Sequence, residues 1–376
     1  MIVYISAFVI TVAIGLIADV TASRSNKVCA TTSSNIRSLH SYALFCAPIP
    51  LLFVTCLRYG VGFDYFPTYV TDYYSFKEGH EIHSDFGFNF FYAVSQSISS
   101  SPQMLFIITG AIFVLGFYIS SYLISGSVAL PTALLFLSSA YVKGISMIAQ
   151  YTAVVLLLLS FAIYFGRKQF VHARTYSTIL LIIAPTLHVS ALFPAIVLLY
   201  LYYYKKIDPT IIFKIATALP IVTLIFEPFI LQIVLFLTQR TRFGVYIDSQ
   251  FVGIESKSIL YIEILIFLVM WFIMRDKYKG CSRALLYILL MESICLSCAL
   301  LQAVPLMLRI TFYFSAFNII GLPPMLQRIR QKWIKLAVTG FILIALAIWF
   351  YLYPYPKNTD GFLPYAFSFA PYTLYN

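Results

Sequence analysis

The sequence predicts an all-α integral membrane protein that crosses the bilayer many times. Three observations lead there. Of 376 residues, 61% are hydrophobic and only 10% charged, with a mean hydropathy of +0.88, whereas soluble domains carry roughly 25% charged residues. Apolar stretches long enough to cross a ~30 Å hydrocarbon core recur from end to end. The evenly spaced apolar–polar alternation of a membrane β-barrel is missing.

In chain order the apolar stretches place helices at about 2–18, 41–57, 103–125, 128–142, 147–165, 176–187, 189–204, 212–237, 258–274, 284–302, 310–326 and 336–353. That is about twelve transmembrane or re-entrant segments. The first lacks the basic leader of a signal peptide and reads as a retained helix. Arg174 precedes 176–204 and Lys205-Lys206 follows it, so both ends favour the cytoplasm and the chain goes up and returns, turning near Pro185–His188. The stretch 128–165 behaves similarly, with a turn expected at Lys143–Ser146. Glu227-Pro228 marks a kink, because proline lacks the N–H a continuous helix needs.

Charge sets the orientation. With both termini outside, the five cytoplasmic gaps hold 17 of the 25 basic residues, from Arg24, Lys27 and Arg37 to Arg328, Arg330, Lys332 and Lys335. Only Asp19, Asp208 and Asp276 of the 14 acids lie there. This is the asymmetry of the positive-inside rule. Basic loops facing anionic lipid account for the net charge of +11 without nucleic acid as a partner. The whole chain, 1–376, reads as one transmembrane domain with extracytoplasmic loops 58–102 and 238–257 and an extracytoplasmic tail 354–376.

The six cysteines give no disulfide framework. Cys29 and Cys281 fall in cytoplasmic gaps; Cys46, Cys56, Cys295 and Cys298 lie in apolar stretches. Cys295-x-x-Cys298 has the spacing of a redox pair, but small residues packing in a helix are the stronger reading.

The outer face gathers the unusual residues. Arg58-Tyr59-Gly60-Val61-Gly62-Phe63-Asp64-Tyr65, with Tyr69 after it, follows directly on an apolar span. A cation, two glycines, a carboxylate and tyrosines at a membrane surface suit a charged, hydroxyl-rich substrate. The same loop carries Asp72, Lys77, Glu78, Glu81 and Asp85, and the loop 238–257 carries Arg240, Arg242, Tyr246 and Asp248. Arg309 opens the outer end of its helix. Neither an Asp-x-Asp pair nor a His/Cys cluster occurs on this face, and His80-x2-His83 lacks a third partner, so no metal or other cofactor is expected. Glu227 and Glu292 are intramembrane carboxylates, candidates by their cost of burial, and each could equally pair with another helix.

Arg58-x3-Gly62-x-Asp64-Tyr65-x3-Tyr69 resembles the signature of the EpsG-like and Wzy-type polysaccharide polymerases. Further pieces follow in that family's order. Phe86-Gly87-Phe88-Asn89-Phe90 resembles its amphipathic lead-in to the next helix, and Leu187-His188-Val189-Ser190-Ala191-Leu192 its His-x-Ser-Ala element. Arg242-Phe243-x2-Tyr246, Arg309-Ile310-x2-Tyr313-Phe314 and Pro364-Tyr365 complete the set, which spans residues 58 to 365. One departure stands out. Where the family commonly has Arg-Gln, this chain has Ala149-Gln150, so one cationic contact is absent or is supplied by Lys143.

The resemblance implies a GT-C-like glycosyltransferase membrane core in the bacterial inner membrane, with its site facing the periplasm. It implies polymerisation of undecaprenyl-diphosphate-linked oligosaccharide repeat units by inverting transfer from donor to acceptor, and a chain-length regulator protein as a partner. The leaving lipid diphosphate needs cations, and arginine pairs with phosphate bidentately. Arg58, Arg242 and Arg309 are the candidates, with interfacial anchoring as their other reading. The acceptor hydroxyl needs a hydrogen-bond acceptor or base. Asp64 is the first candidate and His188 the second. The other readings are an ion pair of Asp64 with Arg58 and, for His188, a satisfied polar residue at a helix break or a donor to the diphosphate. Tyr65, Tyr69, Gln150, Tyr246 and Tyr313 are the substrate-binding candidates, although tyrosine is enriched at every membrane interface. Three other classes compete. A lipid-linked oligosaccharide flippase would show repeat symmetry and midplane polarity. A membrane acyltransferase would need its histidine on the cytoplasmic side. An O-antigen ligase would share the chemistry and differ in acceptor.

Overall fold

A computed structural model describes residues 1–25, 33–80, 82, 84–168, 170–204, 207–239, 254–276, 278–280, 282–358 and 360–367. The described residues are overwhelmingly helical. The chain begins with α1 (Ile2–Ser25), α2 (Ser33–Cys46) and α3 (Ile49–Cys56). Pro48 lies immediately before α3 and separates it from α2, since a proline cannot continue the hydrogen-bond ladder.

The expected outer loop 58–102 is itself largely helical. It contains a π-helical turn (Tyr65–Val70), α4 (Thr71–Lys77), a 3-10 turn (Phe86–Phe88) and α5 (Asn89–Ile98). Its aromatics pack on each other: Tyr92 lies 5.4 Å from Phe88 and 5.9 Å from Phe76 between ring centroids. Short amphipathic segments, not a loose loop, therefore cap this end of the bundle.

Next come α6 (Gln103–Ser125), α7 (Ala129–Leu137), α8 (Ala140–Ser146) and α9 (Ile148–Phe165). The chain breaks one residue after the turn expected at Lys143–Ser146, at Met147 (φ −94°, ψ 64°) between α8 and α9. α8 runs through Lys143–Ser146, and a 67° bend falls between α7 and α8, where Ser139 adopts φ 59°. Serine competes for backbone hydrogen bonds and so favours helix ends, while Lys143 reaches back one turn to donate to Ser139 Oγ at 2.5 Å.

The up-and-return pair forms as expected: α10 (Ala173–Leu187), a 3-10 turn (Val189–Ala191) and α11 (Leu192–Tyr203). Polar clasps hold it to α9. Ser160 Oγ donates to Ser177 O (2.8 Å) and Ser177 Oγ to Ser160 O (2.9 Å), and Tyr164 OH donates to Tyr202 O (2.8 Å). Small residues and interhelical hydrogen bonds of this kind hold membrane helices together where lipid removes the hydrophobic drive. The clasp carries His188 to the end of the bundle.

The chain closes with α12 (Pro209–Ile225), α13 (Glu227–Gln239), α14 (Ile254–Arg275), α15 (Arg283–Leu300), α16 (Pro305–Leu326), α17 (Lys332–Leu352) and the short α18 (Pro354–Lys357). The kink expected at Glu227-Pro228 is an 85° bend between α12 and α13. Among the described residues eight helices are long and apolar enough to cross a membrane, or ten if each bent pair is one span. Two shorter apolar helices, Ala173–Leu187 and Val189–Tyr203, accompany them. A single large core of buried side chains unites α6, α9, α15 and α16. Cys295 and Cys298 are free and buried within it, in keeping with packing rather than a redox pair.

Candidate active site

The stretch after α3 turns back on itself because two glycines permit it. Gly60 and Gly62 take φ +64° and +108°, backbone that side chains rarely adopt. A Cβ on Gly62 would also lie 2.9 Å from Ser146 Cα. Phe63 N donates to Ser146 Oγ at 3.1 Å, which pins the turn to the end of α8. Gly62→Ala is therefore expected to destabilise the protein by about 1–3 kcal/mol, read as a lower melting temperature in detergent.

The C-terminal tail is a strap along this turn. Tyr59 N donates to Ala366 O and Gly62 N to Gly361 O, both at 2.9 Å, and Arg58 forms an antiparallel bridge with Phe367. Tyr365 OH donates to Val54 O at 2.9 Å and Tyr4 OH to Phe362 O at 3.0 Å. The strap places Asp360, only 8% exposed, within electrostatic reach of Asp64.

Asp64 is half-buried, and its backbone carbonyl accepts from Thr68 N (3.2 Å) and Tyr69 N (3.0 Å) at the start of the π-helical turn. Burial pushes its carboxyl above the ordinary value of 3.8; the Arg309 charge pulls it down and Asp360 pushes it up. The cation acting on it is Arg309, near the outer end of α16. The alternative ion pair with Arg58 is not formed.

Arg58 points inward. At 1% exposure its guanidinium lies 5.0 Å from the Phe106 ring centroid, and Nη1 donates to Thr55 O at 2.5 Å. Nε and Nη2 have no hydrogen-bond partner among the described residues. Desolvation lowers its pKa, opposed by Tyr65, Tyr141 and Tyr4. Tyr65 is packed in the same way, stacked on Phe106 at 4.0 Å, with its hydroxyl donating to Gln103 Oε1 at 3.4 Å. These two residues brace the turn from inside.

The remaining described candidates are linked along α9 and α16. Gln150 Nε2 donates to Arg309 O at 3.0 Å, and Ala149 N donates to Tyr69 OH at 3.2 Å. Burial pushes the Tyr69 phenol well above its usual range, and Asp64 adds to the shift, so Tyr69 stays protonated. One turn along α16 from Arg309, Tyr313 OH accepts from Ser190 Oγ at 3.1 Å. That Oγ lies 2.9 Å from His188 Nδ1. Asp85 Oδ2 sits 4.0 Å from the same nitrogen and accepts from Val189 N at 3.0 Å. A continuous polar band therefore runs from Asp64 and Asp360 through Arg309 and Tyr313 to His188 and Asp85.

Three separated motifs, those of Asp64, His188 and Arg309, meet in one band. The sequence profile of the EpsG family matches residues 41–367. The chain belongs to the EpsG family. This is a Wzy-like polymerase-type family, which makes the protein, at that level, a polysaccharide-polymerase-type glycosyltransferase. No curated protein and no solved structure matches the chain.

In this EpsG-family chain Lys143, the candidate stand-in for the arginine missing at Ala149, packs among aromatic rings. It lies over the Phe312 and Trp349 rings, at 5.1 and 5.8 Å, and lines an internal cavity. Arg240, Arg242, Tyr246 and Asp248 lie outside the described residues, as does His83; His80 is exposed beside Glu78. Sequence reasoning missed Asp360 and the part Asp85 plays. Positive φ at Asn358 and Gly361 gives the tail a turn signature, but nothing local names its partner.

Proposed function

We propose that this protein polymerises polyprenyl-diphosphate-linked oligosaccharide units at the periplasmic face of a bacterial inner membrane, on a GT-C-like core. The observation that carries this reading is the placing of Asp64 within electrostatic reach of Arg309 at the start of the polar band, flanked by His188 and Asp85. Glycosyl transfer from a lipid diphosphate needs a cation for the leaving group and an acceptor for the attacking hydroxyl's proton. The band supplies both within one site.

In the reaction the acceptor sugar hydroxyl attacks the anomeric carbon of the donor. A new C–O bond forms as the bond to the diphosphate oxygen breaks, and the diphosphate leaves with that electron pair. The hydroxyl proton passes to the Asp64 carboxylate. Arg309 meets the growing negative charge with a planar pair of donors, and Arg242 is a second cation for the same group. A single displacement inverts the anomeric centre. Tyr69, Gln150 and Tyr313 hold the helices that present these groups, so their effect on substrate runs through position. His188 flanks the acceptor side, where proton exchange would run through Nε2, since Nδ1 faces Ser190 and Asp85. Undecaprenyl diphosphate is the donor carrier in this reading, and a chain-length regulator is a partner.

The test is the surface glycan of cells lacking this gene, separated on a gel and complemented with wild type or Asp64→Asn. Single units without a ladder, with the ladder restored by wild type alone, are the expected outcome. Loss of every surface unit, the single one included, would replace polymerisation by export or ligation.

A further inference from the structure

A second cluster lies deep among the helices, away from the outer site. Glu263 on α14, Glu292 and Cys295 on α15 and Asn318 on α16 are all buried. Cys295 follows Glu292 by one helical turn and so shares its face. One ligand atom from each of Glu263, Glu292 and Cys295 lies within 4.8 Å of the others. Asn318 Nδ2 donates to Glu263 Oε2 at 3.3 Å and also to Glu292 Oε2.

Two features set this cluster apart from a satisfied polar contact. Glu292 Oε1 and Asn318 Oδ1 are buried with no hydrogen-bond partner among the described residues. Orphaned oxygens beside two carboxylates call for something positive between them, because an uncompensated buried charge costs several kcal/mol. The facing cation is Lys143, which acts on Glu263 across a cavity of about 30 Å³ lined also by Ser138, Tyr151 and Ser315. That space holds about one or two waters.

We infer that Glu263, Glu292, Cys295 and Asn318 form a buried divalent transition-metal site of the zinc type. Ligands at about 2.0–2.3 Å from one tetrahedral Zn²⁺ lie about 3.3–3.8 Å apart, so ligand atoms within 4.8 Å of one another need to close by about 1 Å at most, which side-chain rotation supplies. A half-turn of the Asn318 amide exchanges its nitrogen for its oxygen and supplies a fourth donor. Magnesium and calcium fit less well: they take six or more oxygens and keep waters, whereas a thiol among the ligands favours zinc. The charges also close. Two carboxylates and one thiolate give −3, the metal +2 and Lys143 +1, a total of zero.

The site would tie α14, α15 and α16 together at mid-helix. Arg309 lies nine residues before Asn318 on α16, about 13 Å along the axis. A metal here would fix the helix that presents the polymerase cation.

The experiment uses the full-length protein purified in detergent, stripped with a chelator and titrated with Co²⁺ alone. About one Co²⁺ per chain is expected, with the visible bands of a four-coordinate ion and a thiolate-to-cobalt charge-transfer band. Glu292→Gln should weaken binding at least tenfold, and Cys295→Ser should abolish the charge-transfer band. If Glu292→Gln does not fold, the wild-type stoichiometry and Cys295→Ser still decide. Folded wild type that binds neither cobalt nor zinc overturns the inference, as does a charge-transfer band that survives in Cys295→Ser. A protonated-carboxyl infrared band that persists at saturating Co²⁺ and is lost in Glu292→Gln would identify the pair as proton-sharing and overturn the inference. Because the readout is metal binding, failure here leaves the polymerase reading untouched, and loss of the ladder does not bear on the metal.

Discussion

Asp64→Asn is expected to cut polymerisation by about 10²–10⁴-fold, the usual contribution of a positioned general base, while the protein still folds. Asparagine matches aspartate in shape and keeps the backbone carbonyl that accepts from Thr68 and Tyr69. What it removes is the negative oxygen facing Arg309 and the ability to take the hydroxyl proton. The measurement is the rate of polymer formation by purified protein, beside its elution as a folded species. Asp360→Asn tests the neighbouring carboxyl. Asp360 raises the Asp64 pKa, so its neutralisation should leave activity largely intact and shift the acid limb of the pH profile downward.

Arg309→Ala is expected to cost about 10²–10³-fold, the effect of deleting one preorganised charge partner of a developing anion. Arg309→Lys should recover part of this, since a lysine restores charge but not the planar fork. The pH profile carries an independent sign. If ionised Asp64 is the active form, the rate falls as pH drops through its folded pKa. Burial raises that value above 3.8 and Arg309 lowers it. Arg309→Gln should therefore move the acid limb to higher pH as well as reduce the maximum. A limb that moves down, or stays in place, would disconnect Arg309 from Asp64.

Arg58→Ala should act differently from either. Arg58 is packed inside on Phe106 and bonded to Thr55 O, so truncation removes a buried side chain and is expected to cost about 2–5 kcal/mol of stability, as large-to-small core changes do. Loss of the ladder in this variant should come with loss of folded protein, a pairing that a direct diphosphate contact would not produce.

These contrasts mark where sequence was informative. The apolar stretches located nearly every long helix, because span length is imposed by bilayer thickness. The return at His188 was legible from basic residues at both ends of 176–204. Asp64, Tyr69, Gln150, His188, Arg309 and Tyr313 could be named in advance, since each sits at a motif or helix end. Arg58 looked like a surface cation because it follows a span, and only the packing of Tyr4, Phe106 and Tyr141 around it shows its burial. Asp360 was hidden for another reason. Its partner is nearly three hundred residues earlier in the chain, and no local pattern encodes a strap that pairs Gly361 with Gly62. Glu263 went unnoticed because a carboxylate in an apolar helix gains its meaning from Glu292 and Asn318 on neighbouring helices. The bend at Ser139 likewise depended on a conformation that serine tolerates and does not announce.

In the proposed function this chain itself joins lipid-linked units through Asp64 and Arg309. The most direct measurement uses purified protein in liposomes supplied with a polyprenyl-diphosphate-linked repeat unit, following glycan length and free polyprenyl diphosphate together. The expected result is a ladder whose growth releases one lipid diphosphate per linkage, absent with Asp64→Asn and Arg309→Ala. Units that cross the bilayer while staying single and lipid-linked would contradict the claim and make the protein a transporter.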